Sequence, residues 1–341
     1  MESYTLGLFA NMYPAFEGDY RGIFIQRMVQ KLESKGVIVK KAVKRGSHMW
    51  GYIPFYADSL RLSFDSSIDI LQAHYIPHSS IIPALFKQRK PLVLKFHGDD
   101  GRIYPFENVI NQKIIQKMIK KADHLITSSN EIREKLILLG ADPEKVTPIS
   151  SGVDTHRFSP AESELARNTF NFPSDSQIFL YVGRIHPWKG ISEIISAARD
   201  HPDSQFVIAG SGKIPAHPDN CRFLGEISAE EMPALINAAD VALLPSYTEG
   251  ISNFIMESLS CGIPVIATNV GGNPEVIQHE KTGLLIPVKD IPALSLAISW
   301  MKDHPDERKG MGKQGRAEMV NHYDDDLLIN RLMVIHQRLL Q

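Results

Sequence analysis

Cysteine is scarce: Cys221 and Cys261 are the only two in 341 residues, and they lie far apart without metal-ligand spacing. This excludes a disulfide-stapled scaffold and a thiolate zinc site, and it predicts two buried, reduced thiols. Long apolar runs are missing too. No stretch of about 18 consecutive apolar residues occurs, and the opening MESYTLGLFANMY has no basic segment ahead of a long apolar one. Neither a membrane span nor a secretory leader is therefore expected, and the protein is expected in the cytoplasm. Excess charge of one sign is absent, with 37 Lys and Arg against 39 Asp and Glu, so nucleic acid is not an expected partner. No fixed-period repeat or low-complexity tract is present, which excludes a solenoid. No G-x-G-x-x-G follows the first apolar run, which disfavours a nicotinamide dehydrogenase.

What is present is enough apolar residue, 43%, to fill two cores in a chain too long for one. The first half alternates short apolar runs with helical patterns, among them YTLGLFA, IFIQRMVQKLESKG, VIVKKAV, IDILQAHY, PLVLKFHG, NQKIIQKMIKKA and DHLITSS. Several of these runs are continuously apolar and not strictly alternating, as expected of parallel strands covered on both faces. After Gly152 the chain turns polar and irregular, with Pro160 and Pro173, and QIFLYVG then starts a second alternation that runs through QFVIAG, CRFLG, DVALLP, PVIAT and GLLIPV. The predicted class is α/β, with two Rossmann-like doubly wound domains over residues 1–160 and 161–324. The terminal stretch LLINRLMVIHQRLL has apolar residues at helical spacing and must cover some surface. Charge is unevenly divided: residues 1–160 hold 22 Lys and Arg against 16 Asp and Glu, and the remainder 15 against 23. The basic half suits an anionic partner or is merely a solvated face.

Ligands of doubly wound sheets sit beyond the carboxyl ends of strands, so the strand-to-helix corners carry the functional reading. GRIHPWKG delivers Gly183 and Arg184 from a strand and opens a helix at Lys189 and Gly190. Two cations beside a helix N-terminus make a diphosphate site, the alternative being solvated loop charges. Gly210 stands in AGSGK and Gly225 in FLGEI, both after strands, where a backbone can approach a ligand or only turn. SYTEGISNFIMESLSCGIPV follows DVALLP, with Glu249 in the loop, a helix expected near Ser252, and Glu257 within it. Carboxylates accept from paired sugar hydroxyls, so the two can hold two rings of one ligand, and amides near Ser252, Asn253 and Phe254 can receive phosphate. The alternatives are a capping carboxylate and an exposed helical one.

In combination, GVDTHRFSP, GRIHPWKG and EGISNFIMESLSCGIPVIATNVGGNPEVI resemble the linker, phosphate-binding and E-x7-E signatures of the retaining nucleotide-sugar glycosyltransferases of GT-B architecture, glycosyltransferase family 4. KFHGDD and DHLITSS resemble the family's first domain more loosely. The resemblance implies two domains facing across a cleft, with the helix at 325–341 packing back on the first. It implies a hexosyl group moved from a UDP- or GDP-sugar to a hydroxyl acceptor, in polysaccharide, glycolipid or glycoconjugate synthesis, without a metal or other cofactor. The implied catalytic residues are His97, near the transferred sugar, Arg184 and Lys189 on the diphosphate, and Glu249 on the sugar hydroxyls. Glu257 would hold the ribose, and Gly22, Gly183, Gly210, Gly225, Gly250, Ile251, Ser252, Asn253 and Phe254 would line the donor. Asp99, Asp100 and Tyr75 are candidates for the acceptor. Rival readings are an epimerase or phosphorylase of the same fold, or a silent nucleotide-sugar sensor.

The family's usual Gly-Gly pair after the first strand is absent; NMYPAFEGDYRGIF offers Gly18 and Gly22, of which Gly22 better fits close approach. Asp324 to Asp326 spell an Asp-x-Asp pattern, read as helix capping. Lys113, Lys117, Lys120 and Lys121 stand among Ile114, Ile115, Met118 and Ile119, either a sheet-packing helix or a surface for anionic lipid, with peripheral membrane contact and a lipid-linked acceptor as the consequence. Trp50, Tyr52, Phe55 and Tyr56 line an acceptor groove or plug the core.

Overall fold

A computed structural model describes residues 3–14, 21–44, 46 and 48–341, and Gly18 lies outside them. The strands are β1 (Thr5–Ala10), β2 (Ile38–Val43), β3 (Ile70–His74), β4 (Leu92–Phe96), β5 (His124–Thr127), β6 (Val146–Pro148), β7 (Ile178–Val182), β8 (Gln205–Ala209), β9 (Cys221–Gly225), β10 (Val241–Leu244), β11 (Val265–Thr268) and β12 (Gly283–Ile286). The helices are α1 (Ile23–Ser34), α2 (Tyr52–Phe64), α3 (Ile81–Phe86), α4 (Asp99–Arg102), α5 (Tyr104–Glu107), α6 (Val109–Lys121), α7 (Asn130–Leu138), α8 (Ser163–Thr169), α9 (Ile191–Asp200), α10 (Met232–Asn237), α11 (Asn253–Ser260), α12 (Asn273–Val276), α13 (Ile291–Asp303), α14 (Pro305–Glu318) and α15 (Asp325–Leu340). Two compact units result: Met1–Ser151 with Asp326–Gln341, and Gly152–Asp325.

The first unit is a parallel sheet in the order β2-β1-β3-β4-β5-β6. All five residues of β3 and of β4 are buried, including the polar Gln72, His74 and Lys95, as central parallel strands covered on both faces are. Strand alternation sends Leu92, Leu94 and Phe96 to one face, where Phe55 of α2, Ile115 and Met118 of α6 and Ile132 of α7 cover them. Val93, Leu6 and Leu8 go to the other, under Ile25, Val29 and Leu32 of α1 and Leu328, Leu332 and Met333 of α15. The terminal helix thus closes the first sheet. Asp326 fastens it there, its carboxylate 2.6 Å from the Lys31 ammonium and 3.1 Å from that of Lys35. Asp324 lies in the second unit and accepts from the Thr155 hydroxyl at 2.6 Å. Of the aromatic run, Phe55 is in the core and Trp50 is exposed. The lysines of α6 are exposed, and its Ile115, Met118 and Ile119 face the sheet.

The second sheet runs β9-β8-β7-β10-β11-β12, all parallel. Counted from β7, this is the 3-2-1-4-5-6 order of the dinucleotide-binding fold, with its topological switch between β7 and β10. The boundary lies at Gly152 and not at 160, because GVDTHRFSP belongs to this unit. Val153 bridges the chain at Asp324, Phe158 is buried in the second core, and the Arg316 guanidinium donates to the carbonyls of Thr155, Phe158 and Ser260. Both cysteines are free and buried, and burial pushes the thiols up to about 11 at Cys221 and about 12 at Cys261.

Candidate functional site

At the switch of the second sheet, two neighbouring strands end and their loops meet. β7 leads through Gly183 and Arg184 to Gly190 at the head of α9, and β10 leads through Glu249 to Ser252 at the head of α11. The Lys189 ammonium lies 2.5 Å from a Glu249 carboxylate oxygen, with both side chains largely enclosed. Arg184 is exposed. The loops can come this close because residue 190 is glycine: its φ is +70°, and a Cβ would stand 2.1 Å from the Pro245 carbonyl. Beneath them the Tyr181 hydroxyl donates to the Arg184 carbonyl at 2.9 Å. Burial, reinforced by the Glu249 carboxylate, holds that phenol above its ordinary range, while Arg184 opposes the shift.

Further contacts brace the two corners. The Tyr247 amide donates to the Trp188 carbonyl at 2.8 Å, the Tyr247 hydroxyl donates to buried Glu193, and the Trp188 and Tyr247 rings meet edge to face. The Gly250 carbonyl accepts from Gly272, so the Gly-Gly loop before α12 carries the loop of Glu249 to Ser252 from below. Ser252 is the N-cap of α11 in extended conformation, and its hydroxyl makes no capping bond. The first-turn amides of Asn253 and Phe254 and that hydroxyl are thus left for an acceptor from outside the helix. The ring of Phe254 is 6% exposed within the core, so its amide is what it offers. Ile251 is half-buried, as is Glu257, which stands one turn after Asn253. Gly210 and Gly225 pair at the ends of β8 and β9, the Gly210 amide donating to the Gly225 carbonyl at 2.7 Å.

In the first unit the candidates gather at the carboxyl ends of β3 and β4. His97 is stacked on His74 at 5.0 Å between ring centres, with Tyr75 at 4.6 Å and Phe24 at 4.9 Å. Its Nε2 lies 2.9 Å from His74 Nδ1. Burial holds both imidazoles well below their ordinary value. Tyr75 has φ of +63°, a conformation rare outside glycine, which turns its ring against His97. Asp100 is an internal tie: its oxygens accept from the amides of Ile76, His97 and Gly98 at 3.1, 2.9 and 2.9 Å. Burial raises it to about 6 against the pull of these amides. Asp99 is exposed and pairs with Arg102 at 2.9 Å. Gly22 heads α1 with φ of +68°, where a Cβ would stand 2.4 Å from the Met12 carbonyl. The sequence reading passed over Gln72, His74 and Lys95, polar residues at alternate places in apolar strands, and Glu193 and Tyr181, each buried beside the corners. For the strand residues the signal was the polarity itself; for Glu193 and Tyr181 none was present.

Two family models match the chain: Glycosyltransferase Family 4 over residues 11–157 and Glycosyl transferases group 1 over residues 162–318. One curated relative, D-inositol 3-phosphate glycosyltransferase 2 of Catenulispora acidiphila, is 28% identical over 283 residues, covering 72% of this chain and 65% of that protein, less than two thirds of its length. Among solved structures, sucrose-phosphate synthase from Thermosynechococcus elongatus superposes with TM-score 0.84 at 20% identity, covering 98% of this chain and 99% of that one. Anabaena HepE in complex with UDP-glucose gives 0.75 at 17%, covering 98% and 99%. These likenesses show the fold, two Rossmann-like domains of GT-B type. Among the described residues no helix is long and apolar enough to cross a membrane. With both halves matched and the signature corners brought together on one sheet, the chain belongs to glycosyltransferase family 4, the glycosyl transferases of group 1.

Proposed function

We propose that the protein is a retaining glycosyltransferase that moves a hexosyl group from a nucleoside-diphosphate sugar to a hydroxyl acceptor, without a metal. The observation that carries this reading is the meeting of Lys189, Glu249 and the open N-terminus of α11 at the switch of the second sheet, with Arg184 exposed beside them. Lys189 and Arg184 hold the diphosphate and stabilise the charge that develops as it leaves. Glu249 and Glu257 accept from hydroxyls of the sugar and the ribose. The bond from the anomeric carbon to the phosphate oxygen breaks, the acceptor oxygen bonds that carbon on the same face, and the acceptor proton passes to the departing phosphate. No protein nucleophile is required.

The experiment is a donor panel of UDP-, GDP- and ADP-sugars read by thermal shift, since a ligand that binds the native state raises the midpoint by mass action. UDP-sugars come first because a protein of this fold was crystallised with UDP-glucose, and inositol phosphate joins the acceptors because curated relatives carry it in their names. Release of nucleoside diphosphate only with acceptor present, with a product of unchanged anomeric configuration, is the expected result. An inverted product overturns retention. A shift without turnover on any acceptor overturns transfer in favour of a sensor.

A further inference from the structure

A chain of hydrogen bonds runs from His97 through the first unit to its terminal helix. His97 Nε2 meets His74 Nδ1 at 2.9 Å, His74 Nε2 meets Gln72 Nε2 at 2.7 Å, Gln72 Oε1 meets His336 Nε2 at 2.7 Å, and His336 Nδ1 meets the Tyr4 hydroxyl at 2.8 Å. Gln72, His74 and His336 are at most 1% exposed. The direction of every bond follows from the amide. Gln72 Nε2 also lies 3.7 Å from the Met28 sulfur, and a thioether can only accept, so the amide nitrogen is on that side. It therefore donates to His74 Nε2, which must carry no proton. The His74 proton is then on Nδ1 and is given to His97 Nε2. At the other end Gln72 Oε1 accepts from His336 Nε2, and His336 Nδ1 accepts from Tyr4.

We infer that Gln72, His74 and His336 are positioning residues that fix His97 as the neutral imidazole with its proton on Nδ1, so that His97 meets a substrate oxygen as a hydrogen-bond donor and never as a base. The inference rests on the proposed function for the identity of the ligand, and on the geometry alone for the tautomer. No described residue accepts from His97 Nδ1, and this atom is not among the fully buried unpaired ones, so its proton reaches solvent. A charged imidazolium at His97 is opposed by burial and by the neighbouring His74 and Lys95. Lys95 of β4 and His124 of β5 lie within electrostatic reach of the relay, and burial with these neighbours lowers His336 to about 3. A donor of fixed direction matches a sugar hydroxyl or ring oxygen, and a fully satisfied buried network holds one geometry where a solvated histidine would exchange tautomers. The terminal helix thereby reaches the chemistry of β4 through a single side chain.

Long-range proton–nitrogen correlation of the 15N-histidine-labelled free protein at pH 7 tests the tautomers without any ligand. Expected are Nδ1-H on His74 and His97 and Nε2-H on His336. Nε2-H or an imidazolium at His97 overturns the inference. In the transfer assay Gln72→Leu is expected to lower kcat/KM roughly tenfold, about one hydrogen bond's worth, while adding nothing in a His97→Ala background. Equal losses in both backgrounds mean a merely structural glutamine and overturn the positioning role. If the leucine variant does not fold, the spectrum of the parent still decides. Absence of any transfer beside the expected tautomers removes the glycosyltransferase reading and leaves the relay standing.

Discussion

A lysine ammonium has three hydrogens, and at Lys189 the bond to Glu249 uses one of them. The remaining two can reach phosphate oxygens while the carboxylate keeps the side chain aimed. Lys189→Ala is therefore expected to lower transfer about a hundredfold or more, the usual loss for one preorganised donor to a developing anion, with the melting curve nearly unchanged. Nucleoside diphosphate release with acceptor present measures it, and a drop of less than fivefold would sink the role. Lys95 shows the opposite use of a cation. It is 5% exposed in β4, burial lowers it to about 8, and its ammonium makes no bond among the described residues. The fold bears that penalty for as long as the group is charged. Lys95→Met should accordingly stabilise the first unit by about 1–3 kcal/mol, as replacement of a buried charge by an isosteric apolar group does. Urea unfolding reads the change, and a lower midpoint would show an attraction not visible in the structure.

Among the elements, α15 is the most consequential. It buries Leu328, Ile329, Leu332, Met333 and Ile335 against the first sheet, side chains worth about 1.5–3 kcal/mol each, which together rival the whole stability of a domain. A chain ending at Asp325 is expected to lose the unfolding transition of the first unit and keep that of the second, as calorimetry would show; two retained transitions would contradict it. The strands and this helix were legible because their apolar periods leave few alternatives. The corners were legible because glycine, cation and carboxylate stand directly after apolar strands, in GRIHPWKG and SYTEGISNFIME. The boundary was misplaced because GVDTHRFSP looks like a polar linker, although its two large apolar residues, Val153 and Phe158, are 3% and 1% exposed in the second core. Nothing in the sequence around Glu193 sets it apart, and only the fold puts Tyr247 against it. The relay was out of reach for a simpler reason: Gln72 and His336 are 264 positions apart, and nothing local to either announces the other.

For the molecule as a whole, neutral buried imidazoles set the response to acid. His74 and His97 are held well below 6.5, and His336 titrates near 3. The unfolded chain takes up protons on all three near the ordinary value while the folded one does not, so stability is intact above about pH 6.5 and falls as pH drops below it, by at most about 1.4 kcal/mol per pH unit for each. Asp100, raised to about 6, acts in reverse: its contribution is full below the ordinary carboxylate value and is lost as pH rises through 6, so it offsets one of the three. Denaturation midpoints from pH 7.5 to 5 should decline, and a flat profile would show these rings charged in the native state. A last consequence follows from the second sheet. Trp188, 59% exposed and edge-on to Tyr247, is the immediate neighbour of Lys189, and the chain has only three tryptophans. A fluorophore therefore stands beside the proposed diphosphate site, and its emission is expected to change when a nucleotide sugar is added to the untagged protein, with Trp188→Phe as the blank.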